Sequence, residues 1–408
     1  MKRKAIVLGA GIKGTAIAVL LSLTDEFEIR LVDQDKVASG TTSTNHGRLH
    51  LGTSGWRTET DDLIRRRMLG SSLMRQLPAI TTCLSEGHYC VEREEELVAF
   101  ISKCDANQIP YRVLSRNEIE NEWINIDQFS TVVQVPEFSF NPARVAGRFA
   151  QSFENQGGTL LPSQRAIRVH RQDHTVFLEL ENGKSLEADV IINASTRWCN
   201  TVTITDGNPL FTVEWFRWRL LCLRSEGFIP LKQVTVIVEP TKKAPSAIPH
   251  ERWITIDCKT DLEQLDSPEG EQNAGWRPID LKNPIDYELY STGYDYFQPL
   301  RQLRQLSDSE LQNQLFSMSG VHGRLVGDPP GSVNKVYSTD SCPNYFVTFG
   351  GQASTAVLDA IETIEHLAKL GVCREVNRGH LIQQLAHSLA VEPLPNSTGM
   401  IWEQQEAA

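Results

Sequence analysis

Lys4-Ala5-Ile6-Val7-Leu8-Gly9-Ala10-Gly11-Ile12-Lys13-Gly14, followed by a helix-compatible run from Thr15 to Leu23, decides the fold of this chain. The apolar residues 4–8 predict a strand, the three glycines a tight turn, and the run beyond them a helix. Gly9 permits the turn, Gly11 leaves the backbone open to a pyrophosphate, and Gly14 allows close helix packing. Ile12 then opens the helix, where amides without intrahelical partners favour negative charge. A second strand over residues 27–32 ends in Asp33, about 20 residues past the last glycine, where an acid accepts hydrogen bonds from ribose hydroxyls. Together these parts predict a dinucleotide-binding unit rather than an ordinary glycine turn. Asp35 lies beyond the strand end and reads as a solvated loop residue. Neither acid distinguishes one dinucleotide from another.

Length and charge narrow the partners. With 408 residues the chain exceeds one typical domain, and two domains are expected. A net charge of -11 repels phosphate backbones and anionic lipid, so nucleic acid is excluded as a natural partner. Eight cysteines are scattered without a CxxC pair, which argues for reduced, buried thiols and against a metal site or disulfide scaffold. Lys2, Arg3 and Lys4 before an apolar run imitate a signal peptide, but Lys13 and the glycines interrupt it and no cleavage pattern follows Leu23. No segment approaches the ~18 apolar residues of an integral membrane span. A soluble, cytoplasmic protein is expected.

After Asp33 the chain enters a small, hydroxyl-rich stretch from Lys36 to Gly52 that includes Gly40, Thr41, Thr42, Ser43, Thr44, Asn45, His46, Gly47, Arg48, Leu49 and His50. It is too polar for core. Its small residues admit a ligand, its hydroxyls and amides suit phosphate, and its glycines permit unusual dihedrals. Here the sequence resembles the D-amino acid oxidase-like flavoproteins, a family that includes glycine oxidase, glycerol-3-phosphate dehydrogenase and L-2-hydroxyglutarate oxidase. Asn45, Gly47, His50 and Gly52 match that family's N-x-G-x-x-H-x-G segment, which implies FAD as cofactor, with this loop running beneath the pyrophosphate towards the flavin.

Two later regions carry the same resemblance. Asn141-Pro142 opens an expected helix to Asn155, alternating strands follow through residues 160–180, including Ile167, and Ala188-Asp189-Val190-Ile191-Ile192-Asn193-Ala194-Ser195 reads as a buried strand with a small-residue exit. The family has this order where the chain returns to the adenosine half, ending A-D-x-V-V-x-A-x-G-x-W; Trp198 fits, and Thr196 stands for the usual glycine. Near the other end, an apolar strand over residues 345–349 enters Gly350-Gly351-Gln352-Ala353-Ser354-Thr355-Ala356 and an amphipathic helix over residues 357–370. The positive end of that helix suits the flavin pyrimidine edge, which becomes anionic on reduction. The expected fold is α/β: a Rossmann-type FAD-binding domain with a central parallel sheet, and a second α+β substrate domain with a mostly antiparallel sheet. The resemblance places the cofactor domain at residues 1–80, 141–205 and 320–380, and the substrate domain at 81–140 and 206–319. Residues 381–408 are read as a tail ending in a polar, disordered run.

A flavin enzyme of this kind takes a hydride from a small amino or hydroxy acid and manages one proton. Three roles are open to His50: base, covalent flavin attachment point, or a histidine satisfied by backbone beside the ring. A substrate carboxylate would want a guanidinium fork. Arg324 is the first candidate, close to where the family carries an arginine in A-G-x-R-P, although His322 occupies that place. Arg48 is the second, and Arg217 and Arg219 share one face of an expected strand. Tyr287, Tyr290, Tyr294 and Tyr296 are candidates for closing the pocket, with Tyr294 the one assigned to the site, and residues 261–271 read as a solvated loop. The electron acceptor, oxygen or a quinone, is left open. The alternatives are an NAD-dependent dehydrogenase, which has no use for residues 39–52, and a flavin-binding scaffold or assembly protein without turnover.

Overall fold

The computed structural model describes residues 2–50, 60–78, 80–83, 85–204, 211–238, 245–258, 263–267, 275–326 and 333–390. At its centre β1 (Arg3–Leu8) lies between β2 (Phe27–Val32) and the strand Val190–Asn193, both parallel to it. Thr159–Leu161 and Cys342–Phe349 extend the parallel sheet on either side, and Lys335–Thr339 closes one edge antiparallel. Both faces of β1 are covered, so residues 4–8 read as a continuous apolar run rather than an alternation. Ala5 and Val7 join the core formed with α1 (Ile12–Ser22) and the helices Pro142–Asn155 and Ala356–Lys369. Ile6 and Leu8 face the antiparallel strands Ala166–Gln172, Thr175–Leu180 and Ser185–Ala188. The Asn141 side chain caps its helix as its sequence position suggests, accepting from the Arg144 amide at 3.0 Å.

The second sheet is mostly antiparallel. The long strands Val213–Arg224 and Leu315–Leu325 pair along their length, with Trp253–Asp257, Ser246–Pro249 and Gln233–Val238 continuing the sheet. Ser85–Val91 joins Gln233–Val238 in parallel, and Thr131–Val135 and Arg112–Leu114 follow. Directly paired residues share a face. Leu220, Cys222, Phe316 and Met318 point to the core that contains α1, whereas Leu221, Leu223, Ile254 and Ile256 point to the helices Pro284–Tyr296 and Gln298–Leu303.

Three expectations are corrected. The boundary at 320 falls inside the strand Leu315–Leu325, so residues 320–325 pair in the antiparallel sheet, and Gly320 and Gly323 mark close approaches within it. Within 261–271, Glu263–Leu265 is a strand pairing with residues 215–217. The tail begins with the helix Arg378–Ala390, whose Leu381, Ile382, Leu385 and Leu389 dock on the core; residues 391–408 lie outside the described ones. The seven cysteines with described side chains are buried free thiols. No described helix is long and apolar enough to cross a membrane, and no described cluster of His, Cys, Asp and Glu could hold a metal.

Candidate active site

The first turn of the chain leaves no room for side chains. Gly9 has φ +95°, and a Cβ there would stand 2.8 Å from Ser195 Cα; one on Gly14 would stand 1.8 Å from the Gly9 carbonyl. Gly11 precedes α1 without capping it through a side chain, and Thr42 Oγ1 instead accepts from the Ile12 amide at 3.1 Å. Asp33 accepts from the amides of Ala10 at 2.5 Å and Asp35 at 2.8 Å, and burial raises its pKa. A carboxylate offers about four lone-pair directions, so Asp33 retains capacity for a ribose hydroxyl.

The polar loop is folded by its own small residues. Ser43 Oγ donates to the Gly40 carbonyl at 2.9 Å, Thr41 Oγ1 to Val321 at 2.8 Å, and Asn45 Oδ1 accepts from the Gly47 amide at 2.9 Å. Gly47 has φ +70°, and a Cβ there would meet the Phe140 carbonyl at 2.1 Å. Leu49 is buried in a short strand, β3 (Arg48–Leu49), that pairs with Phe138–Phe140. Gly52 lies outside the described residues. Ala194 and Ser195 leave the central sheet beside Gly9, and Thr196 holds φ +49°, so the backbone keeps a left-handed turn although the residue is β-branched. Trp198 follows, with the Arg197 guanidinium 5.2 Å from its ring. Ile167 is exposed on an outer strand.

At the far end of the chain, Gly350 and Gly351 have φ +88° and +79°, and Gln352 leads into the short helix Ala353–Thr355. The Ser354 hydroxyl is buried and has no hydrogen-bond partner among the described residues. This turn is tied to the polar loop by α2 (Asp61–Arg75). A Cβ on Gly70 would stand 2.7 Å from Thr355 Cγ2, and the neighbouring Ser71 hydroxyl donates to the His50 carbonyl. The residues fit a dinucleotide: a glycine cradle at a helix N-terminus, hydroxyls beside it, and a buried unpartnered hydroxyl at a second helix start.

Between the loop and the antiparallel sheet lies a cluster of histidines and carboxylates. His46 and His50 approach through their Nε2 atoms at 3.3 Å; His46 Nδ1 is 3.8 Å from Asp257 and His50 Nδ1 3.7 Å from Glu137. His250 Nε2 lies 3.1 Å from the His46 carbonyl, and burial lowers its pKa to about 4. The Trp218 ring is 5.7 Å from His46 and 5.9 Å from His322, which stacks on Phe216 at 6.0 Å. Burial, with Arg324 nearby, lowers His322 to about 4. Gly320 lets the loop close on this face, since a Cβ there would meet Thr44 Oγ1 at 2.1 Å.

The arginine and tyrosine candidates separate. Arg48 is buried and its fork is taken by Glu137, with both contacts at 2.6 Å, and by the Tyr89 hydroxyl. It orders the site's floor and does not offer a carboxylate grip. Arg324 lies on the Trp218 and His322 face, half buried, its guanidinium 4.5 Å from the Phe216 ring centre. Arg217 and Arg219 both bind Glu263. Tyr290 and Tyr294 pack on the opposite face of the sheet, where Arg304 donates to the Tyr294 hydroxyl at 3.2 Å, so Tyr294 is removed from the site. Tyr296 packs in that same cluster and Tyr287 is exposed. Sequence reasoning missed Glu137, Asp257, His250 and Trp218, which gather only through sheet register, and Lys13, whose signal was a charge inside an apolar helix.

Fold and site together define a flavin-dependent oxidoreductase. The chain belongs to the FAD dependent oxidoreductase family, whose profile matches residues 4–248, and its cofactor is FAD. Solved structures agree on the fold. Glycine oxidase from Geobacillus kaustophilus is 13% identical with a TM-score of 0.68, covering 92% of this chain and 100% of its own. L-proline dehydrogenase from P.horikoshii is 13% identical with a TM-score of 0.67, over 91% and 95%. FAD-bound L-alpha-glycerophosphate oxidase from Mycoplasma pneumoniae is 17% identical with a TM-score of 0.71, over 90% and 95%. No curated protein matches the chain.

Proposed function

We propose that this enzyme oxidises the C–H of a small amino or hydroxy acid, with His46 and His50 managing the donor's proton. The observation that carries the reading is the row Asp257, His46, His50, Glu137, in which two histidines of the cofactor loop lie between carboxylates from other segments. FAD, when bound, supplies the two-electron acceptor at N5. We assign its binding to Gly9, Gly11, Ile12, Gly14, Asp33, residues 40–43, 45–47 and 49, Ala194, Ser195, Trp198 and residues 350–354, with Ile167 towards the adenosine.

The facing Nε2 atoms of His46 and His50 share one proton when both rings are neutral. One of the two Nδ1 atoms is then unprotonated, and each Nδ1 faces a carboxylate. Taking the donor's N–H or O–H proton leaves an imidazolium beside an acid, a favourable change in a buried setting. Trp218 and His322 wall the donor space. His322 stays neutral at physiological pH, and Arg324 leans back over Phe216 to the His322 level, roughly 7 Å of strand past Trp218. There its guanidinium suits the donor's carboxylate. Among the proteins of similar fold, one is a glycine oxidase and another an L-alpha-glycerophosphate oxidase, and this pairing of an amine with a hydroxyl compound supports the breadth of donor proposed.

The test is an anaerobic, absorbance-monitored screen of amino and hydroxy acids against the FAD-loaded protein. At least one should bleach the flavin at a saturable rate. A bound flavin that none reduces would leave the chain a flavin-binding scaffold, and a protein that ignores FAD would refute the assignment altogether.

A further inference from the structure

Helix α1 buries Ile12, Ala16, Ile17, Ala18, Val19 and Leu20, yet its second residue is a lysine that is only 7% exposed. Burying an ammonium is costly unless its protons are satisfied. Lys13 Nζ donates to the Gly350 carbonyl at 3.0 Å, the Thr348 carbonyl at 3.3 Å and Asn334 Oδ1 at 3.4 Å, one acceptor for each of its three protons. Thus a residue of the N-terminal glycine motif holds the start of the C-terminal glycine turn.

Beneath that turn lies a second buried charge. Asp359 fills the space a side chain at Gly351 would need, its Oδ2 only 1.9 Å from a Cβ built there. It accepts from Thr355 Oγ1 at 3.0 Å and from Arg66 of α2 at 2.7 Å, and Arg66 also meets Glu362. Lys13 and Asp359 attract each other electrostatically.

The geometry points to Lys13 as a positioning residue for the cofactor: it clamps the Gly350-Gly351 turn to the phosphate-binding end of α1, adds positive charge there, and has Asp359 as its counter-charge. The inference rests on the cofactor assignment above and adds a device to it. An ammonium in the first turn of α1 reinforces the helix dipole where the pyrophosphate is expected, so it acts on affinity directly and through the turn.

This clamp has a pH signature. Burial lowers Lys13 to about 8; Asp359 and Cys199 raise it and Arg66 lowers it. Burial takes Asp359 up to about 6, takes the Cys199 thiol to about 12, and raises the Tyr345 phenol as well. Of these groups Lys13 is the one that changes charge between pH 7 and 9. Losing its proton should loosen FAD by at most about tenfold over those two units.

The test measures the FAD dissociation constant at pH 7 and 9 for the wild type, Lys13→Met, Lys13→Arg and Asp359→Asn, with flavin absorbance recorded for each. The wild type should weaken by up to about tenfold, Lys13→Met should be weak at both values, and Lys13→Arg should stay tight at both. Asp359→Asn should move the loosening to lower pH, because the attraction that sustains the ammonium is gone. A Lys13→Arg slope equal to the wild type, or an Asp359→Asn midpoint that does not move, overturns the inference even if Lys13→Met fails to fold. A wild type that binds no FAD at any pH refutes the cofactor assignment instead.

Discussion

His50 is visible in the sequence as a histidine in a polar loop, but its partners are not. His46 lies four residues away in the same loop, whereas Glu137 beside His50 and Asp257 beside His46 come from distant segments that only the fold brings in. Replacing His50 by Asn should slow anaerobic flavin reduction by about 10²–10⁴-fold with FAD still bound; rapid-mixing absorbance would show it, and an unchanged rate would remove His50 from proton transfer. Arg48 illustrates the opposite case, since an arginine in the right loop is already paired with Glu137 and Tyr89. Glu137→Gln should therefore cost about 3–5 kcal/mol of stability by leaving Arg48 buried without its counter-charge, measured by urea denaturation. His322 carries a pH dependence of known sign. Its pKa is about 4 when folded and about 6.5 when unfolded, so the unfolded chain binds the extra proton and stability falls as pH drops through that window. Relative to His322→Phe, the wild type should lose about 1–2 kcal/mol more between pH 7 and 5.

At the level of elements, local signals did well where one segment decides its own shape. The glycine turn after β1, the Asn141 cap and the helix expected over residues 357–370 formed within a residue of expectation, and the strand expected over 345–349 begins three residues earlier, at Cys342. Other glycines owe their place to a distant neighbour. Gly320 lies inside a strand where Thr44 and Trp218 approach it from other segments. The tyrosines near 290 sit on the helix Pro284–Tyr296, which covers the face of the sheet away from the polar loop, and no sequence signal says which face a helix covers. Gly14→Ala tests the tightest of these contacts. With 1.8 Å between the new Cβ and a backbone carbonyl, α1 must move away from β1, and both FAD affinity and thermal stability should fall, the latter by about 1–3 kcal/mol. A variant with wild-type affinity would show that the close packing of α1 is not needed for the cofactor.

Across the whole molecule, the parallel sheet is assembled from segments near residues 3–32, 159–193 and 335–349, so the cofactor cradle exists only when distant parts of the chain have met. Its adjoining face is supplied by the antiparallel sheet, whose strands Val213–Arg224 and Leu315–Leu325 bring Trp218 and Gly320 onto the polar loop. The ends of this arrangement were legible because glycine turns beside helices have few other uses. The middle was not, because donor specificity resides in side chains whose neighbours are set by register. The most direct test of the account is an experimental structure of the FAD-loaded chain. It should show the pyrophosphate at Gly11 and Thr42, with the flavin ring reaching between His50 and the Gly350-Gly351 turn. A ring bound elsewhere, or a pyrophosphate that avoids the start of α1, would contradict it.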